Sequence, residues 1–363
     1  MLKIEFDDLG PEKVLHVYSQ RTGLKAIIVV DNTALGPSIG GVRVSPSVTL
    51  EEVMRLARTM TLKNSIAGLP HGGGKAGIIT DPKSADREHL FRTFAREIKH
   101  LYEYIPGPDM GSNEDCMAWV HDETGRAVGL PEEIGGLPLD KVGATGYGLA
   151  ECAEVACEKT GLELKNAKIA IQGFGSVGKA AARYLSDKGA ILVAAGDTGG
   201  TIWNPDGIDV RELIAVKESD GSVVNYKKGI RHKSEDIFGL ACDILIPAAT
   251  PDVINKNNAN NIKARLVLQG ANIPATAEAE EILHNKGVLS VPDFIANAGG
   301  VIMAAMEYAK KLEREAFEAI SSRIRSNTRL ILEKAEREKK LPRQAAVEIA
   351  KERVIKAMKY KEY

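Results

Sequence analysis

The chain is 363 residues long, enough for two domains of ordinary size, and its 44% hydrophobic and 27% charged residues are those of a folded globular protein. Lys and Arg number 48 against 49 Asp and Glu, a net charge of −1, so no overall field draws it to nucleic acid or to an anionic membrane. No run approaches the ~20 apolar residues of a membrane helix, and the acidic start MLKIEFDDLGPEK is unlike a signal peptide, so a cytoplasmic protein is expected. Cys116, Cys152, Cys157 and Cys242 share no C-x-x-C spacing, which argues against a metal or redox centre and against a disulfide framework. The 35 glycines cluster at 40–41, 72–77, 173–178, 199–200 and 299–300, where backbone is expected to approach ligands.

Residues 25–31 (KAIIVVD) and 76–80 (AGIIT) read as buried strands, short apolar runs bounded by turn residues. Between them Val53, Leu56, Ala57 and Met60 recur at i, i+3, i+4 and i+7, an amphipathic helix entered through Thr49 as N-cap. Residues 86–104 and 113–129 also carry helical patterns, so the first part of the chain is a mixed α/β unit. From about 144 the pattern changes: helix 146–160, strand 168–172, a glycine turn, helix 177–188 and strand 190–196. Strands at 243–248, 265–270 and 288–292 follow, with helical stretches between several of them, which predicts a parallel doubly wound sheet. The polar segment 203–232 reads as a surface excursion with a helix in it. The tail, 303–363, is helical in composition. From Lys310 onward it holds 16 Lys and Arg and 9 Asp and Glu, but these alternate with Leu, Ile and Ala at helical spacing, as on a solvated helix face rather than a nucleic-acid arm.

Gly173-Phe174-Gly175-Ser176-Val177-Gly178 fits G-x-G-x-x-G directly after a strand and at the mouth of a helix. The first glycine permits the tight turn, the second lets backbone approach a pyrophosphate, and the third lets helix and strand pack, while the helix N-terminus supplies N–H groups and a positive dipole. Asp197 ends the next strand, where a carboxylate would grip ribose hydroxyls; it would repel a 2′-phosphate, and residues 197–202 hold no Arg or Lys, so NAD is favoured over NADP.

Two lysines flank a glycine cluster, Lys63 in MTLKNSIAGLP and Lys75 in HGGGKAG. A lysine partly desolvated and crowded by another cation has a depressed pKa and serves as a base near neutrality. The glycines at 72–74 would keep side chains out of a substrate's way, and Asp109, in PGPDMGS, is a candidate carboxylate partner.

GPSIGGVR (36–43), MTLKNSIAGLPHGGGKAG (60–77), PDMGSNEDCMAWVHDE (108–123), ATGYG (144–148), GFGSVG (173–178), GAN (270–272) and PDFIANAGGV (292–301) occur in that order. Together they resemble the amino-acid dehydrogenase superfamily of glutamate, leucine, valine and phenylalanine dehydrogenases, over nearly the whole chain. The resemblance implies reversible oxidative deamination, in which an L-amino acid, NAD(P)+ and water give a 2-oxo acid, ammonia and NAD(P)H. It implies an α/β fold of two domains: a substrate and oligomerisation domain over 1–143, a Rossmann-type dinucleotide-binding domain over 144–325, and C-terminal helices, 326–363, packing back on the first domain. By the same resemblance Lys63 holds the substrate α-carboxylate with Gly40 and Gly41 lining the site, and Lys75 is the base that activates water. Asp109 shuttles protons at the nitrogen, and Thr145, Asn272 and Asn297 lie by the nicotinamide. No metal and no nucleic acid or membrane partner is implied, and a homo-oligomer is.

Glutamate dehydrogenases carry a lysine in GP-x-K-GG-x-R that pairs with the side-chain carboxylate; here that place is Ile39, and a serine of the helix after NAGGV is here Ala304. A carboxylate against Ile and Ala would be buried without a partner, at a cost of several kcal/mol. An apolar amino acid, as in leucine and valine dehydrogenases, is therefore the expected substrate. MAWVHDE, GANIPAT and PDFIANAGGVI are closer to glutamate dehydrogenases, which makes glutamate the alternative, and a catalytically silent dinucleotide or amino-acid sensor the reading outside the enzymes.

Overall fold

The computed structural model describes residues 6–361; residues 1–5, part of the acidic start noted above, and 362–363 lie outside the described residues. The chain divides into two compact units, one of Met1–Pro138, Val301–Phe317 and Val347–Tyr363, the other of Leu139–Gly300 and Glu318–Ala346. The fold is α/β, with one sheet in each unit.

The first unit is built on strands β1 (Lys13–Ser19), β2 (Leu24–Asn32), β3 (Ser38–Val44), β4 (Gly72–Ile78) and β5 (Tyr104–Pro108), in the order β1-β2-β4-β3-β5. β1, β2 and β4 run antiparallel in turn, and β3 lies parallel to both β4 and β5. Side chains of a strand alternate between faces, so the unbroken apolar run Ala26–Val30 of β2 is buried only because both faces are covered. Ile27 and Val29 meet Val53 and Ala57 of α1 (Leu50–Ile66), while Ile28 and Val30 meet the cluster of Phe91, Phe94, Met117 and Val120 from α2 (Arg87–Glu97) and α3 (Glu114–Thr124). Thr49 caps α1 as its sequence predicts, its Oγ1 accepting the Glu52 N–H at 3.3 Å.

The periodicity over 86–104 outruns the helix, which stops at Glu97. There the buried Arg126 guanidinium takes up freed carbonyls, donating to Ile98 O, to Lys99 O at 2.9 Å, to Leu101 O at 3.0 Å and to Tyr104 O at 3.1 Å. α3 likewise ends early, at Gly125 in the left-handed region, φ +72°. Strands β1, β3 and β5 escape a search for apolar runs, since SIGGVRV and YIPGP hold glycines and prolines and β1 is only half-buried.

Strand β4 starts at Gly72, four residues before the expected strand, and the glycine run is therefore strand, not loop. Its glycines admit the protein itself. A Cβ on Gly73 would stand 2.0 Å from Thr61 N and one on Gly77 3.0 Å from Val53 Cγ2, so α1 lies directly on this strand.

The second unit holds β6 (Lys168–Gln172), β7 (Ile191–Asp197), β8 (Gly200–Trp203), β9 (Ile230–His232), β10 (Ile244–Pro247), β11 (Leu266–Leu268) and β12 (Leu289–Val291), ordered β12-β11-β10-β6-β7-β8-β9. The first five in that order are parallel, as the alternation of strands and helices predicts. β8 and β9 extend the sheet antiparallel, so the polar segment 203–232 is a helix-bearing excursion that returns to the sheet edge. The helices after α3 are α4 (Leu139–Val142), α5 (Ala144–Thr160), α6 (Ser176–Asp187), α7 (Val210–Asp220), α8 (Ala277–Asn285), α9 (Asp293–Ala296), α10 (Gly299–Tyr308), α11 (Glu313–Glu338) and α12 (Pro342–Met358). Among the described residues no helix is long and apolar enough to cross a membrane.

Gly73→Ala should force α1 off β4 and destabilise the protein by about 3 kcal/mol, the upper end for overpacking. Gly23→Ala, at a position with nothing within 4 Å of the added carbon but with φ +73°, should cost only about 1 kcal/mol. Denaturant titration of the two variants compares them.

Candidate active site

In the first sheet β3 separates β4 from β5, and neighbouring strands are ~4.8 Å apart. A side chain on β4 meets one at the end of β5 only by crossing β3 where that strand has no side chain. Lys75 does this. It shares a face of β4 with Gly73 and Gly77, is 6% exposed, and brings Nζ to 3.0 Å from Oδ2 of Asp109, the residue after β5. The crossing point is Gly41, where a Cβ would stand 2.7 Å from Asp109 Cβ and 3.2 Å from Lys75 Nζ.

Arg43, two residues on and on the same face of β3, donates from Nε to the same Asp109 oxygen at 3.0 Å and from Nη1 to Glu52 Oε1 at 2.5 Å. Asp109 is anchored by its backbone too, its N–H donating to Ser112 Oγ at 2.8 Å, and Ser112 Oγ donating to Val42 O at 2.7 Å. The Tyr104 hydroxyl donates to Gly40 O at 2.8 Å, fixing the backbone of β3 at the crossing.

Burial pushes the Lys75 ammonium below its ordinary value; Asp109 opposes that and Arg43 adds to it. For Asp109 burial works upward, but Lys75 and Arg43 outweigh it and hold the carboxyl below the usual range. The arrangement is a lysine that gives up its proton readily beside a carboxylate that is ionised at rest, a pair suited to passing protons.

Lys63 sits in the last turn of α1 and is buried, 8% exposed. Ile39, on β3, and Ala304, on α10, are buried as well. Gly40 differs from Gly41, because a Cβ there would meet Gly74 O at 1.6 Å; strand packing alone demands it. The same holds for Gly72–Gly74, whose added carbons would meet Asn32 O, Thr61 N and Ser38 Oγ rather than open space. Arg43 is the site residue that sequence reasoning undervalued, and its i, i+2 relation to Gly41 was the available signal.

In the second unit the turn after β6 has the features its sequence predicts. Gly173 has φ +95° and its N–H donates to Gly196 O at 2.8 Å. A Cβ on Gly178 would stand 2.0 Å from Gly173 O, whereas one on Gly175 meets nothing within 4 Å. The exposed Gly175 and Ser176 open α6, with Phe174 buried beneath and Val177 in the first turn. An open backbone at a helix N-terminus, beside a cavity of about 460 Å³ lined in part by Lys141, Lys179 and Lys217, fits a dinucleotide pyrophosphate.

Asp197 ends β7 but has no oxygen to spare. Oδ1 accepts from Gly199 N at 2.8 Å and Ser222 Oγ at 2.9 Å, and Oδ2 from Val223 N and Lys217 Nζ, both at 2.8 Å. A carboxylate has about four acceptor sites, so a ribose hydroxyl would compete for an occupied one. Lys217, on α7 and 20 residues away, also supplies the positive charge that residues 197–202 lack; no local pattern marks it. Asn297 Nδ2 donates to Asn272 Oδ1 at 3.1 Å and to Ala271 O at 3.2 Å, and Gly300 stands against Thr145, an added Cβ lying 3.1 Å from its Oγ1. Thr145, Asn272 and Asn297 thus belong to the same unit as the glycine turn.

Residues 135–361 match the family model described as Glutamate/Leucine/Phenylalanine/Valine dehydrogenase, and residues 11–126 match Glu/Leu/Phe/Val dehydrogenase, dimerisation domain. The chain is 41% identical to a glutamate dehydrogenase of Aeropyrum pernix over 90% of its length and 84% of that protein. It is 38% identical to an NADP-specific glutamate dehydrogenase of Saccharolobus shibatae, over 99% and 93%. Among solved structures, the hetero-hexameric glutamate dehydrogenase of Thermus thermophilus in its Leu-bound form superposes with a TM-score of 0.87 at 30% identity, covering 97% of this chain and 91% of that one. The chain belongs to the glutamate/leucine/phenylalanine/valine dehydrogenase family, as an NAD(P)-dependent amino-acid dehydrogenase acting on a CH–NH2 donor.

Proposed function

We propose that this chain reversibly converts L-glutamate, NAD(P)+ and water into 2-oxoglutarate, ammonia and NAD(P)H, with Lys75 and Asp109 as its proton-handling pair. The observation that carries the chemistry is the 3.0 Å contact between a buried ammonium and a buried carboxylate. The glutamate side chain is favoured by relatives named glutamate dehydrogenases at 38–44% identity.

In this reading Lys63 binds the α-carboxylate, and the side of Gly41 without a side chain gives the amino acid access to the pair. Asp109 takes a proton from the substrate ammonium. The bound dinucleotide, held by the 173–178 turn with Thr145, Asn272 and Asn297, supplies the hydride acceptor for Cα. Lys75, uncharged, then removes a proton from the water that adds to the imino carbon, and Asp109 returns a proton to the departing nitrogen. Arg43 holds Asp109 in place and keeps Lys75 easy to deprotonate. Homo-oligomers form through the first unit, a proposal supported by the dimerisation-domain match over 11–126.

A specific observation favours a second reading, an apolar amino acid. Ile39 and Ala304 are 3% and 6% exposed, and an aliphatic side chain against them would gain ~25 cal/mol per Å² buried.

A panel of L-glutamate, L-leucine, L-valine and L-phenylalanine with each dinucleotide decides between them: glutamate should give the highest kcat/KM, and leucine or valine ahead of it would establish the second reading. Lys75→Ala should lower kcat by about 10³, within the range for a general base, and leave dinucleotide affinity within about twofold. Because Arg43 lowers the Lys75 pKa, Arg43→Gln should move the rising limb of the kcat–pH profile to higher pH; a limb that stays put would assign the base elsewhere. Lys217→Ala, which opens one acceptor position on Asp197 Oδ2 and removes a cation, should shift the NADP/NAD ratio of kcat/KM toward NAD by about tenfold, the size of one charged contact.

A further inference from the structure

Arg343, the second residue of α12, belongs to the second unit and lies 46 residues beyond Asn297 in sequence. Its guanidinium donates from Nε to both Glu280 oxygens, at 2.9 and 2.8 Å, and from Nη2 to Gln269 Oε1 at 2.8 Å. Nη2 also stands 2.9 Å from Asp293 Oδ1, and the plane rests over the Phe294 ring, 5.4 Å from its centroid. Glu280 and Asp293 are 5% and 1% exposed, so two carboxylates out of reach of water share this one cation.

The second Asp293 oxygen accepts the Ile273 N–H at 3.0 Å. Ile273 has φ +48°, a left-handed conformation that costs a β-branched residue roughly 1–2 kcal/mol and persists only where neighbours impose it. Asn272 precedes it and accepts from Asn297, whose own N–H donates to Asp293 O at 2.8 Å. Arg343, Asp293, Ile273 and Asn272 therefore form one continuous chain of contacts.

We infer that Arg343 is a positioning residue for the dinucleotide: by neutralising Asp293 it keeps that carboxylate on the Ile273 N–H, and so holds Asn272 and Asn297 in the geometry that meets the nicotinamide. This rests on the reading above that those asparagines face the cofactor. Lysine cannot replace the arginine here, since an ammonium is a point charge and cannot span Glu280, Gln269 and Asp293 with one planar fork. Without that fork Asp293 loses the guanidinium beside its Oδ1 and turns away from the Ile273 N–H, and the strained turn relaxes.

The test measures the Kd of NADH and NADPH by fluorescence titration, together with kcat and both KM values. Arg343→Lys should weaken dinucleotide binding five- to twentyfold and raise the dinucleotide KM in step, with the amino-acid KM within twofold. Asp293→Asn, which keeps the side-chain shape and removes only the charge, should weaken binding similarly and stands in if Arg343→Lys folds poorly. Ile273→Gly in the Arg343→Lys background should recover most of the loss, because glycine adopts φ +48° without help. A Kd unchanged in both Arg343→Lys and Asp293→Asn, or a loss that glycine leaves untouched, overturns the inference. Asn272→Ala and Asn297→Ala test the underlying reading separately: if both leave the Kd unchanged, the asparagines do not face the cofactor. Binding is read directly, so an outcome in which no amino acid is turned over refutes the proposed function and still decides this one.

Discussion

The contact on which the first unit turns is the one between the Lys75 ammonium and the Asp109 carboxylate, reached across the width of a strand. Taking two charges out of water costs several kcal/mol per ion, and a well-packed apolar pair of the same size would often be more stable. Around this pair the sequence breaks local rules in a consistent way. β3 carries two glycines, β4 carries four, and β5 ends Pro-Gly-Pro, none of them strand-forming choices. Of these glycines Gly41 opens the path between the two charges, while Gly40 and those of β4 let neighbouring backbone and α1 close in around it.

The second unit obeys a different economy. Its turn after β6 needs three glycines and a helix, all local, and the geometry follows from consecutive residues. Its polar locks are the opposite. Asp197 is held by groups from 199, 217, 222 and 223, and Arg343 gathers partners from 269, 280 and 293. These networks use up hydrogen-bonding capacity that a simpler picture would leave for a ligand.

That contrast explains how much was legible beforehand. The 173–178 turn, the parallel strands around it, the Thr49 cap and the partnership of Lys75 with Asp109 all announce themselves through spacing or an ordered set of motifs. Strands β3 and β5 did not, because glycine and proline count against a strand unless a neighbouring backbone is known to lie within touching distance. Nor did the true purpose of Gly72–Gly74, which make room for α1 and β2 rather than for a small molecule. Asp197 invited the reading of an available carboxylate; only folding brings Lys217 to it. Substrate choice is the case where two kinds of information diverge, since Ile39 and Ala304 speak for an aliphatic partner while overall likeness speaks for glutamate.

Arg126 draws together segments that the chain keeps apart. One guanidinium, buried beside Tyr104, binds carbonyls of the turn after α2 and the first of β5 from a position just past α3. Ile98 O and Leu101 O also accept backbone N–H groups, from Leu101 and Tyr104 at 3.0 and 3.1 Å, so Arg126 adds a second donor to each and joins them to Lys99 O and Tyr104 O. A single side chain thus ties the turn after α2, the start of β5 and the segment past α3 to one another, with Asp109 on the chain between them.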